Sequence, residues 1–110
     1  MKRKKKIKKK KEEKFRKLVE EVKERIPVDE KYTIIIRTRT GKWRKKQTLI
    51  TINGPNDKEL KRLVARICSM ELRVFNSFRG KEILLSGDKK EEVKKIITDL
   101  GFNESFIKIL

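Results

Sequence analysis

The chain contains no histidine and a single cysteine, Cys68. Lack of histidine removes the usual general base and the commonest metal ligand. One thiol cannot close an intrachain disulfide, and it leaves a zinc site short of ligands. No purely apolar run exceeds the three residues Ile34-Ile35-Ile36, far short of a membrane span. No apolar segment follows the basic N-terminus, so a secretory signal is excluded. Acids are missing from two whole stretches, Met1 to Lys11 and Lys31 to Asn53. These absences predict a reduced, cytoplasmic protein with no membrane segment, no metal and no cofactor.

What is present is positive charge. Lys and Arg total 33 against 16 Asp and Glu, a formal net charge of +17 in 110 residues. The first acid-free stretch carries Lys2, Arg3, Lys4, Lys5, Lys6, Lys8, Lys9, Lys10 and Lys11; the second carries Lys31, Arg37, Arg39, Lys42, Arg44, Lys45 and Lys46. Charge so unevenly placed acts on partners rather than on the fold. Nucleic acid is the polymer that best answers it, through phosphate neutralisation and counterion release.

The length fits one small domain. Residues 1–11 read as a basic, disordered tail, since like charges repel and no apolar face exists. Residues 12–27 read as an amphipathic helix. Phe15, Leu18, Val19, Val22 and Ile26 fall in one stripe, and Pro27 ends the run. The helix needs a surface, either its own domain or a partner. Residues 31–110 then alternate. Tyr32–Thr40 and Gln47–Asn53 read as strands joined by a basic loop, an antiparallel hairpin. Asn56 and Glu59 suit a capping box for a helix with Leu60, Leu63, Val64, Ile67 and Cys68 inside. Leu72–Phe75 and Glu82–Ser86 read as a second hairpin around Asn76 to Gly80. Asp88 with Glu91 suits another capping box; Val93, Ile96, Ile97 and Leu100 follow, and Gly101 stops that helix. Phe106–Leu110 is a last β-like segment. The expected fold is α+β, a two-layer α/β sandwich of order β-β-α-β-β-α-β, with the additional N-terminal helix and tail.

Catalysis finds little support. The acids sit at helix starts or among helical lysines, and no nucleophile–base pair, phosphate-cradling loop or metal constellation is present. The chain reads as a non-enzyme. Cys68 reads as a small core hydrophobe.

Binding finds more. Lys42, Arg44, Lys45 and Lys46 surround Trp43, the chain's one tryptophan. Cations position a protein on phosphates. An indole can stack on an unpaired base, worth roughly 1–3 kcal/mol, or it can fold back as a lid on the core. Arg37 and Arg39 share a strand face that a plain core would fill with apolar groups. Lys58, Lys61, Arg62 and Arg66 on the next helix extend the candidate footprint, although solvation alone also accounts for them. The lysine tail is a candidate arm. Charge does not separate RNA from DNA, but a small basic domain with a long basic arm suits a folded, phosphate-dense RNA such as ribosomal RNA.

The run from Lys31 to Leu110 resembles the archaeal and eukaryotic translation initiation factor 1 family, the SUI domain. The resemblance rests on the basic loop Gly41–Lys46, the strand Thr48-Leu49-Ile50-Thr51-Ile52-Asn53-Gly54 and the helix Asp57-Lys58-Glu59-Leu60-Lys61-Arg62-Leu63. It rests further on the strand Ile83-Leu84-Leu85-Ser86-Gly87-Asp88, and on Val93-Lys94-Lys95-Ile96-Ile97 leading to Leu100-Gly101-Phe102. What this implies is a factor that binds the small ribosomal subunit near the P site and serves start-codon selection without catalysis. In that family the first hairpin loop and first helix touch ribosomal RNA. Carried over, the positions are Lys42, Trp43, Arg44, Lys45 and Lys46, then Lys58, Lys61, Arg62 and Arg66. The implied partners are the ribosome and its RNA, with messenger RNA and other initiation factors as further candidates, and the protein is expected to be a monomer away from the ribosome. Where the family carries a glycine-rich segment, this chain reads Ser69-Met70-Glu71-Leu72-Arg73. That departure keeps an alternative open: a constitutive ribosome-associated or ribosomal protein, or a hibernation or stalling factor, holding ribosomal RNA with the same fold. A general RNA- or DNA-binding module is the third reading.

Overall fold

The computed structural model describes residues 2–26, 32–54 and 57–110, and for residues 2–11 and 57 the backbone alone. In chain order the elements are α1 (Lys2–Arg25), β1 (Thr33–Thr40), β2 (Lys46–Asn53), α2 (Asp57–Leu72), β3 (Asn76–Arg79), β4 (Glu82–Ser86), α3 (Lys90–Asp99) and β5 (Ile107–Ile109). The sheet order is β3-β4-β2-β1-β5. β5 runs parallel to β1, and the other neighbours are antiparallel. The architecture is the expected α+β sandwich, with the helices on one face of the sheet.

Alternation along the strands decides that face. Ile34 lies opposite Ile52, Ile36 opposite Ile50, and Ile50 opposite Ile83. All of these are fully buried. Against them pack Leu60, Val64 and Ile67 of α2 with Val93 and Ile97 of α3. Each such side chain contributes roughly 1.5–3 kcal/mol on leaving water. Leu18 and Val22 of α1 join the same cluster, so the amphipathic helix docks on its own domain. Tyr32 meets Phe102 edge to face, with ring centroids 5.4 Å apart. The Tyr32 ring also lies over Gly54, where an added Cβ would come within 2.2 Å of it.

Several expectations need correction. The segment expected to be a disordered tail is helical, because α1 begins at Lys2. Lysine is a good helix former, and extending a helix already docked through Leu18 and Val22 needs no new nucleus. Leu72–Phe75 is not a strand. α2 runs on to Leu72, which continues the flank of Ala65 and Cys68, and Arg73 then turns the chain at φ 55°. Ser69 Oγ donates to the Val74 carbonyl at 2.5 Å, closing the turn. The strand is instead Asn76–Arg79, and the second hairpin narrows to Gly80-Lys81.

Asp88 does not cap α3. The N-cap position is Lys89, with no capping bond from its own side chain. The work passes to the sheet: Lys89 N–H donates to Thr48 Oγ1 at 2.8 Å, and that buried hydroxyl donates to the Gly87 carbonyl at 2.7 Å. At the other end of α3, Gly101 N–H donates to Thr98 O and Phe102 N–H to Ile97 O, a Schellman stop with Gly101 at φ 107°. Lys31, the Pro27 break and the Asn56 cap lie outside the described residues. Glu59, read as the other half of that box, pairs with Arg25 of α1.

Candidate nucleic-acid interface

The basic loop closes β1 and β2 beyond the Thr40–Lys46 pair. Gly41 N–H donates to the Lys45 carbonyl at 2.7 Å, so five residues form a tight tip. A single 3-10 turn, Lys42–Arg44, fills it. Trp43 and Arg44 both take left-handed backbone, at φ 62° and 58°. For residues with a Cβ this costs on the order of 1–3 kcal/mol each. Nothing is buried in return: Trp43 is 89% exposed. The indole is therefore displayed and is not a lid on the core. Lys42, Arg44, Lys45 and Lys46 are exposed around it. The tip offers a stacking surface among exposed cations, the combination that takes unpaired bases and their phosphates.

No family model matches the sequence. The chain is 36% identical over 92 residues to a protein translation factor SUI1 homolog of Aeropyrum pernix, covering 82% of this chain and 87% of that protein. The chain belongs to the SUI1 translation factor family.

Within this SUI1-family fold the other expected cations fall into three groups. Arg39 and Arg37 lie on the helix-free face of β1, as their alternation with Ile36 requires. Arg37 is not free. Its Nη2 donates to both Glu82 carboxylate oxygens, at 3.0 and 2.9 Å, and its Nε adds a bond of 3.2 Å. This fork sits beside Leu49, the register partner of Arg37, which is fully buried on that same face. Arg37 thus covers a small apolar strip and is half-exposed, with its guanidinium engaged by Glu82. Lys61 is largely withdrawn from solvent. It is 7% exposed, because it shares the inward flank of α2 with Ala65 and Cys68.

Lys58, Arg62 and Arg66 are exposed on α2. The fold does not gather them at the tip. α2 starts where β2 ends, so Lys58 stands about 25 Å from the loop, the length of an eight-residue strand. Arg66 lies nearer, in a groove between α1 and the end of α2 that Phe15, Val19 and Met70 also line. For Lys2 to Lys11 the backbone helix is described.

The sequence reading missed Lys89 and Lys90. Gly87 N–H donates to the Lys46 carbonyl at 2.8 Å, which seats the start of α3 beside the tip. Only the β2–β4 register reveals this neighbourhood, and nothing local to Lys89 does. Phe75, read as the last residue of a strand, lies outside any strand and is 88% exposed at the same end of the sheet.

Among the described residues no cluster of acids and cysteines could hold a metal, and no helix is long and apolar enough to cross a membrane. Burial pushes the Cys68 thiol up to about 12, with the charge of Glu71 adding to the effect. Such a thiol stays protonated and inert at neutral pH.

Proposed function

We propose that this chain is a cytoplasmic translation initiation factor that acts by binding rather than catalysis. It engages ribosomal RNA of the small subunit through the β1–β2 tip and serves start-codon selection. Lys42, Trp43, Arg44, Lys45 and Lys46 carry the contact, with Arg39 beside them and the exposed cations of α2, Lys58, Arg62 and Arg66, as a second contact away from the tip. Messenger RNA and partner initiation factors are within the same reading, and the protein is a monomer off the ribosome. The observation that carries it is Trp43, held at left-handed φ and almost fully exposed inside an acid-free loop. Membership of the SUI1 family supports the placement in translation.

The test is sedimentation with purified small subunits at 0.1 M salt. The wild-type chain is expected to pellet with them. The variant Lys42→Glu/Arg44→Glu/Lys45→Glu/Lys46→Glu is expected to stay in the supernatant with its melting temperature intact. Co-sedimentation of that variant would remove the tip from the interface. Near-stoichiometric retention on ribosomes after high-salt washing would favour the constitutive ribosomal protein instead, a reading to which the long cationic α1 lends weight.

A further inference from the structure

α1 lies antiparallel to α2. Arg25 pairs with Glu59 in the first turn of α2, and Phe15 and Val19 share a groove with Met70 and Arg73 at its other end. From Glu12 to Arg25 is 13 residues (25 − 12), and from Glu59 to Leu72 is also 13 (72 − 59). The two stretches match in length, so residues 2–11 run on past the end of α2. At 1.5 Å per residue those ten residues extend about 15 Å.

That end of α2 is the end that holds the tip. Leu72 leads through Arg73 into β3, where Asn76 lies opposite Leu85. Ser86 N–H donates to the Phe75 carbonyl, Ser86 lies opposite Gln47, and Gly87 bonds to Lys46 at the neck of the loop. The strand pairings therefore carry the cationic end of α1 and the Trp43 tip to one pole of the molecule. The extension holds nine cations, and no acid stands in the first turn of α1. Positive side chains there oppose the helix dipole, a cost that a bound polyanion removes.

We propose, resting on the RNA-binding reading above, that residues 2–11 form a fixed helical prong and that prong and tip grip one structured RNA at two places. RNA is the occupant because a folded RNA supplies both requirements of the pole, a dense row of phosphates for the prong and unpaired bases for the indole, and membership of a translation factor family favours it over DNA. An acidic protein supplies carboxylates and leaves Trp43 without a stacking partner. A fixed prong differs from a loose arm in a measurable way. Its direction is set by α1, so the second contact gains effective concentration where the RNA geometry matches and loses it when the helix is broken.

The experiment compares Lys8→Pro with Lys8→Gln in the full chain, binding to purified small ribosomal subunits at 0.15 M salt. Both variants remove one charge. Only proline breaks the helix, freeing the residues before it. The docked half of α1 starts beyond that point, so both variants should melt with the wild type. The prong predicts that Lys8→Pro binds about tenfold more weakly than Lys8→Gln, with the two salt slopes equal. Equal affinities would overturn the prong while wild-type binding in the same series upholds the RNA reading. Failure of the wild-type chain to bind would sink that reading itself. Polyglutamate competing as well as a ribosomal RNA fragment, weight for weight, would assign the pole to an acidic protein and overturn the proposal.

Discussion

The sheet ends in two hairpin turns that solve the same geometric problem differently. The β3–β4 turn uses two residues, with Gly80 at φ 60° and nothing within 4 Å of where a Cβ would stand. It is a relaxed connection with glycine where the backbone needs it. The β1–β2 turn uses five residues and puts Trp43 and Arg44 into the same left-handed region. A loop serving the fold alone would carry glycine there. The difference separates a turn made to reverse the chain from a turn made to hold out side chains, and the strain is on the side of the cations.

The largest test of that contrast is electrostatic. Arg44→Glu/Lys45→Glu at the tip and Arg79→Glu/Lys81→Glu at the other hairpin make the same change in net charge. The tip pair is expected to weaken binding to small ribosomal subunits by about a hundredfold at 0.1 M salt, through lost phosphate contacts. The other pair is expected to cost less than about fivefold, the effect of bulk charge. Equal losses in titrations of both variants would erase the distinction. Next in size is Trp43→Ala, expected to cost roughly 1–3 kcal/mol of RNA binding from the lost stack, against no change for Phe78→Ala on β3.

Stability should move oppositely at the two turns. Gly80→Ala forces a Cβ into left-handed backbone and should cost about 1 kcal/mol in chemical denaturation, with RNA binding untouched. Trp43→Gly relieves the same strain. It should leave stability unchanged or raise it by up to about 1 kcal/mol while binding falls. A destabilised Trp43→Gly would show that the indole supports the fold after all. The smallest effect belongs to the ion pair between the hairpins. Glu82→Gln frees Arg37 and should cost about 0.5 kcal/mol, since both partners are reached by solvent.

The hairpin β1–β2, the stripes of α2 and α3 and the Gly101 stop were legible because each is a local pattern: alternation, 3.6-residue spacing or a glycine. β3 was not. Asn76 and Ser77 have weak strand preference, and no residue of the strand is buried, so only its pairing with β4 defines it. The end of α2 was hidden because Arg73 stands where a glycine would have announced the turn. The site was half legible. Composition marked the tip, but whether Trp43 covered the core or faced solvent depended on two backbone angles. Arg37 and Lys61 looked like free cations because their acidic partner or apolar flank lies across the sheet or one turn along the helix. Lys89 and Lys90 come to the tip through a register that no window of sequence contains.

Thr48 gives the tip a mechanical consequence. Its hydroxyl ties the base of the loop strand to Gly87 and Lys89, so any bound polymer that twists the tip must pull on the first turn of α3. The loop is a lever braced by that side chain and by the Gly87–Lys46 backbone bond. Slowed amide exchange at Lys89 on complex formation would register a load applied at Trp43, and Thr48→Val would weaken the response.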